Sequence, residues 1–103
     1  MPESANAVVE EFVTAINAGD KDTVLALFAD GASMSDDGSE RNLAAWLDRE
    51  MFTTNGRIEI ESSSDDGLSL IAGVTNDTWG TMRTRWQFFV DGDKITRFET
   101  GQA

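Results

Sequence analysis

Chemistry in this chain must come from a short menu, because it has no His, Cys or Tyr among its 103 residues. Without His there is no Ser-His or Cys-His dyad and no imidazole metal ligand. Without Cys there is no thiolate nucleophile and no zinc-thiolate site, and without Tyr no phenol can donate to an oxyanion. Any catalyst has to use Asp, Glu, Arg, Lys, Ser, Thr, Asn, Gln, Trp or the backbone. No phosphate-cradling glycine loop and no calcium-loop spacing occurs, so neither a cofactor nor a metal ion is expected. Three groups of side chains remain of interest. Asp36-Asp37-Gly38 offers two adjacent carboxylates, suited to proton transfer or to an ordinary turn. Arg83-Thr84-Arg85 puts two guanidinium groups on one face of an extended segment, where Glu59, Glu61 or Glu99 could pair with them across strands. The aromatics Trp46, Phe52, Trp79, Trp86, Phe88, Phe89 and Phe98 suit a pocket, a core or a subunit contact.

Helices are needed to position the first half of this set. Val8, Val9, Phe12, Val13 and Ile16 recur at helical spacing, with Ser4 as the expected N-cap and Gly19 as the stop. Asp20 is placed to cap a second helix whose apolar face is Val24, Leu25, Leu27 and Phe28, ending at Phe28-Ala29-Asp30. A short extended stretch reaches the acidic turn. Ser39 is the expected cap of a third helix carrying Leu43, Trp46, Leu47 and Met51, and Asn55-Gly56 turns the chain.

The second half reads as strands. Arg57 to Glu61, Leu68 to Thr75, Trp79 to Val90 and Lys94 to Thr100 are separated by Asp65-Asp66-Gly67, Asn76-Asp77 and Asp91-Gly92-Asp93 turns, which predicts an antiparallel meander. On the long strand Met82, Thr84, Trp86 and Phe88 share one face, and Arg83, Arg85 and Gln87 share the other. The helices must cover one face of the sheet, giving a single α+β domain over residues 1–103.

Charge narrows the partners. A formal net charge of −11 with scattered basic residues excludes phosphate-tracking surfaces, so neither nucleic acid nor an anionic membrane is expected. Residues 1–11 carry Glu3, Glu10 and Glu11 and no basic leader, and no apolar run is long enough to span a bilayer, so a cytoplasmic location is expected. Asn76-Asp77-Thr78 fits a glycosylation triplet, which reads as chance without a secretion signal.

The order helix, Gly19-Asp20 break, helix, short strand, acidic turn, helix and closing hairpin FFVDGDKITRFE resembles the nuclear transport factor 2-like superfamily, including SnoaL-like cyclases and ketosteroid isomerases. The resemblance spans nearly the whole chain. It implies a cone-shaped domain of three N-terminal helices packed on a curved, mainly antiparallel sheet, with an apolar pocket at the open end. It also implies a homodimer through the outer sheet face, where Met, Trp and Phe positions would otherwise stay uncovered.

In the ketosteroid isomerase branch, a carboxylate following a Phe-Ala-Asp-Gly-Ala pattern removes a proton next to a ketone. Laid onto ADGASMSDDGSE, that pattern puts Asp36 at the base position, with Asp37 the alternative if the register slips by one. Phe12 stands where that branch has a phenol donor, and Arg85 where it has a protonated acid. Only the base is retained, and Arg85 is a candidate to stabilise an enolate in their place. Limonene epoxide hydrolases use an Arg-x-Asp pair, which Arg83-Thr84-Arg85 matches only in its first position. A small hydrophobic ligand is therefore expected, contacted by Trp46, Trp86, Phe12 and Met34. Two uses stay open: a binding domain, or an isomerase- or cyclase-type enzyme with Asp36 as general base.

Overall fold

The computed structural model describes residues 6–103 of the chain. Helix α1 (Ala7–Ala18) starts at Asn6, whose Oδ1 accepts from the N–H of Val8 at 3.0 Å and of Val9 at 3.1 Å. Asn6 is the N-cap; Ser4, expected in that role, lies outside the described residues. The helix stops at Gly19, whose φ of 67° is left-handed and carries no Cβ penalty. Val9, Phe12, Val13 and Ile16 form the buried stripe. Asp20 caps α2 (Lys21–Ala26), accepting from Thr23 N at 3.2 Å and Thr23 Oγ1 at 2.6 Å. These bonds, the hydroxyl one first, hold the Asp20 carboxyl below its ordinary range.

The second helix ends earlier than its apolar spacing predicts. Phe28 to Asp30 belong to strand β1 (Phe28–Asp36), where Phe28 pairs with Ile95 and Ile95 N donates to Leu27 O at 2.8 Å. A ladder to a strand far along the chain has overridden a local helical pattern. Ser39 likewise is no helix cap. Asp37 and Gly38, both at positive φ (49° and 84°), form a two-residue hairpin turn into β2 (Ser39–Arg41), with Asp36 opposite Ser39. The cap of α3 (Leu43–Leu47) is Asn42, which accepts from Ala45 N at 2.9 Å. A π-helical turn, Asp48–Phe52, continues α3 and carries Met51 into the core.

Strands β3 (Arg57–Ser63), β4 (Ser69–Asn76), β5 (Gly80–Asp91) and β6 (Lys94–Gln102) form the meander. The six-stranded sheet has the order β2-β1-β6-β5-β4-β3, and β1 runs parallel to β6. Every other pairing is antiparallel. Irregularities between Phe28 and Ser33, Ile60 and Ser62, and Phe89 and Val90 bend the sheet around the helices. The core at their junction is aromatic: the Phe12 ring lies 5.4 Å from Phe88 and 6.0 Å from both Phe28 and Phe98.

On β5, Thr84, Trp86 and Phe88 face the helices and are buried, with Met82 half-buried beside them. The apolar residues expected to leave the outer face uncovered are therefore inside. The outer face is largely charged. Arg83 reaches Glu61 with Nε to Oε2 at 2.9 Å. Arg97 binds Glu40 and Glu99. The arginine hydrogen bonds hold the Glu61 and Glu40 carboxyls below their ordinary range. Phe89 is the large apolar residue exposed on this side, at 42 %.

Candidate functional site

Strand β1, helix α3 with its π turn, and the ends of β5 and β6 enclose a cavity of about 310 Å³. Asp36 closes β1 at its edge. One oxygen of its carboxylate, Oδ2, accepts from Trp46 Nε1 of α3 at 3.0 Å. Trp46 is 5 % exposed and meets Trp86 edge-on, ring centroids 6.1 Å apart at 75°. Trp86 in turn donates from Nε1 to Thr84 Oγ1 at 2.8 Å, and Thr84 passes the bond to Ala72 O at 2.9 Å. The two indoles are thus locked by packing and by a committed hydrogen bond each. Met51, Val74 and Met82 supply the remaining apolar wall.

Asp37 lies at the rim and is structural as well as acidic. Its N–H donates to Thr100 O at 2.9 Å and its Oδ1 accepts from Gln102 N at 3.0 Å, so it clamps the end of β6 against the hairpin. Gly101 permits this approach: a Cβ there would run into the Asp37 carboxylate. Glu50, from the π turn, is the third carboxylate at the cavity, and Arg49 Nε stands 3.8 Å from its Oε1.

The lining is rich in acceptors and poor in available donors. Among the described residues, no Lys or Arg lines the cavity. Trp46, Trp86, Thr84 and Thr100 each spend their side-chain donor on a protein acceptor, and Asn76 Nδ2 donates to Glu50 O at 3.2 Å. Among the described residues, the exposed indole of Trp79, the exposed amide of Gln102 and the second N–H of Asn76 Nδ2 are the side-chain donors of the lining not directed at a protein group. Such a site suits a ligand that donates hydrogen bonds, or one that surrenders a proton to Asp36. It offers little to a developing oxyanion. Among the described residues no group of three or more acidic side chains is close enough to hold a metal ion.

The residues named from sequence separate into three places. Asp36, Trp46 and Trp86 meet at the cavity, with Asp37 beside them. Phe12 and Met34 are wholly buried in the core, where they support the walls without lining them. Arg85 is exposed on the outer face, opposite Ile71 and Gly101, because Trp86 points inward and neighbouring strand residues point to opposite sides. There it borders a groove of about 400 Å³ with Ser62, Ser69, Ile71 and Gln87. The sheet separates Arg85 from Asp36, and neither Arg83 nor Arg85 faces the cavity.

Sequence reading passed over Glu50 as a cavity residue, and left Trp79 open between pocket, core and subunit contact. The structure leaves the Trp79 indole 61 % exposed at the cavity mouth, beside the Asn76-Asp77 turn. Asn76 orients it, its Oδ1 accepting from Trp79 N at 2.7 Å. Glu50 had no usable signal, because the π turn that aims it leaves no mark in residue spacing. A wider groove of about 640 Å³ between α1 and β3 has no aromatic side chain among its described lining residues. Its Asn17 is committed to the β3 backbone, donating to Ile58 O at 2.8 Å and accepting from Ile58 N at 2.7 Å.

Helices on the concave side of a curved, mostly antiparallel sheet, with a cavity at the open end, define the nuclear transport factor 2-like fold, and this chain has it. Among solved structures, it is similar to an NTF2-like protein of unknown function from Cytophaga hutchinsonii, with a TM-score of 0.79 and 12 % identity over 100 % of this chain and 93 % of the other. An LEH-like epoxide hydrolase from M. tuberculosis aligns with a TM-score of 0.72 and 22 % identity, covering 93 % of this chain and 80 % of that one. The Orange Carotenoid Protein of Anabaena (Nostoc), in a structure binding canthaxanthin, aligns with a TM-score of 0.73 and 19 % identity over 97 % of this chain and 36 % of that protein. No family model matches the sequence. No helix of the described residues is long and apolar enough to cross a membrane.

Proposed function

We propose that this protein binds a small hydrophobic molecule in the cavity between α3 and the sheet. One observation carries the reading: all three tryptophans of the chain border a single cavity of about 310 Å³. Burying Trp46 and Trp86 around an opening, instead of closing the core over it, leaves apolar surface for which a ligand is the natural occupant. The volume is at the small end of ligand sites, which favours a one- or two-ring body over a longer one. The Anabaena protein, which shares the fold, is a canthaxanthin binder, and this lends the reading general support. Thermal-shift screening of aromatic and steroid-like compounds tests it: stabilisers should emerge, and Met82→Trp, which fills the cavity, should abolish their effect.

A second reading, proton transfer on a small hydrophobic carbonyl compound, is favoured by the carboxylate of Asp36 held at the cavity by Trp46. On this reading Asp36→Asn lowers turnover by ~10²–10⁴-fold, the usual range for a general base. Asparagine keeps an oxygen for the indole N–H, so folding should change little. Unchanged turnover in Asp36→Asn and in Asp37→Asn removes the enzyme reading and leaves binding. The scarcity of uncommitted donors makes binding the stronger of the two.

A further inference from the structure

The reading of the cavity as a ligand site has a chemical corollary in its charge. Resting on that reading, we infer that the ligand is an organic cation, a protonated amine on a compact apolar body. Trp46, Trp79 and Trp86 give the cavity aromatic walls, and a cation near such rings gains from their quadrupoles, most strongly for Trp. Asp36 and Glu50 bring two carboxylates to the same cavity, with Asp37 at its rim, and no basic residue lines it among the described residues.

The neighbouring cations only partly offset this charge. Arg49, itself 62 % exposed, makes a long 3.8 Å contact with Glu50. Arg85 and Asp37 lie against the same outer side of Gly101, where a Cβ would come 3.0 Å from Arg85 Nη2 and run into Asp37 Oδ1, so Arg85 offsets Asp37 and leaves Asp36 and Glu50. Asp36 has only the neutral indole N–H of Trp46 as side-chain partner among the described residues.

Other ligand classes fit less well. An anion would meet the carboxylates of Asp36 and Glu50 with few donors to receive it. A neutral hydrocarbon would fill the volume but strip water from Asp36 without replacing the lost hydrogen bonds, which is costly for a charged group. An ammonium N–H directed at the second oxygen of Asp36 replaces that water, while the apolar body lies against Trp46 and Trp86. The net charge of −11 adds a long-range attraction for cations and repels anions.

The test holds one apolar body constant and varies its charge. Binding of N,N-dimethyl-1-(2-naphthyl)methanamine (protonated at pH 7), 2-naphthalenemethanol and 2-naphthoate is measured by titration calorimetry at low and at high salt. The expected order is amine, then alcohol, then carboxylate, with the amine at least ~10-fold tighter than the alcohol and the margin shrinking as salt screens the charges. Asp36→Asn should reduce the amine's margin over the alcohol about tenfold, and Glu50→Gln should reduce it less. Alcohol binding as tightly as the amine overturns the cation inference and leaves a neutral apolar site intact. Absence of binding by all three overturns the cavity reading itself.

Discussion

Asp36 and Phe12 show how differently two residues of one aligned pattern behave. Asp36 ends β1 with one oxygen engaged by Trp46 Nε1, half-buried at the cavity. Phe12 is wholly buried, ringed by Phe28, Phe88, Phe98 and Trp86 at centroid distances of 5.4–6.1 Å. Its role is packing. Phe12→Ala should cost about 3–5 kcal/mol in denaturant unfolding, the range for deleting a buried aromatic ring. A loss below about 1 kcal/mol would mean that the ring faces an opening. That Asp36, Trp46 and Trp86 border one cavity was legible because residue type and element position agreed. The placement of Arg85 was not, since a period of two shows which residues share a face without showing which face is inward.

At the scale of elements, capped and periodic segments were legible and long-range pairings were not. The Gly19 stop, the Asp20 cap and the four strands of the meander are where turn chemistry and periodicity put them. The parallel pairing of β1 with β6 left no local trace, and it turned Phe28 to Asp30 from expected helix into strand. Asn42 displaced Ser39 as helix cap because Asp37-Gly38 makes a tight hairpin before the helix can begin. The π turn was equally invisible, and it brings Met51 so near Gly56 that a Cβ on Gly56 would lie 2.7 Å from the Met51 Cα.

The α2 cap gives this scale a pH dependence. Thr23 holds the Asp20 carboxyl below its ordinary range, so the folded pKa lies under the unfolded one. The cap's contribution is then complete above the unfolded value and is lost as pH falls through the folded one. Asp20→Ala should lower Tm by a few degrees at pH 7, and the gap should narrow below about pH 4, where carboxylates protonate. A gap of constant size across that range would contradict a charged cap.

For the whole molecule, charge and shape divide the labour. The concave side of the sheet carries the aromatic core and the cavity; the convex side carries the Arg83–Glu61 and Arg97–Glu40 pairs. The homodimer expected from sequence keeps one structural support on that side, the exposed Phe89. Sedimentation equilibrium at tens of micromolar should give twice the 11.2 kDa chain mass if that face self-associates. A single species at the chain mass removes the dimer and leaves the polar face as simple solvent-exposed surface.

The central claim is that the cavity beside Asp36 is the ligand site, and the chain contains its own reporters. With only three tryptophans, each indole N–H gives a separate nitrogen–proton NMR signal, assignable by single Trp→Phe substitutions. Titration with a stabilising compound should move the Trp46 and Trp86 signals together along one saturable curve, while the Arg85 Nε–H signal on the outer face stays in place. Shifts confined to Arg85 and its neighbours, with both buried indoles unmoved at saturation, would contradict the claim.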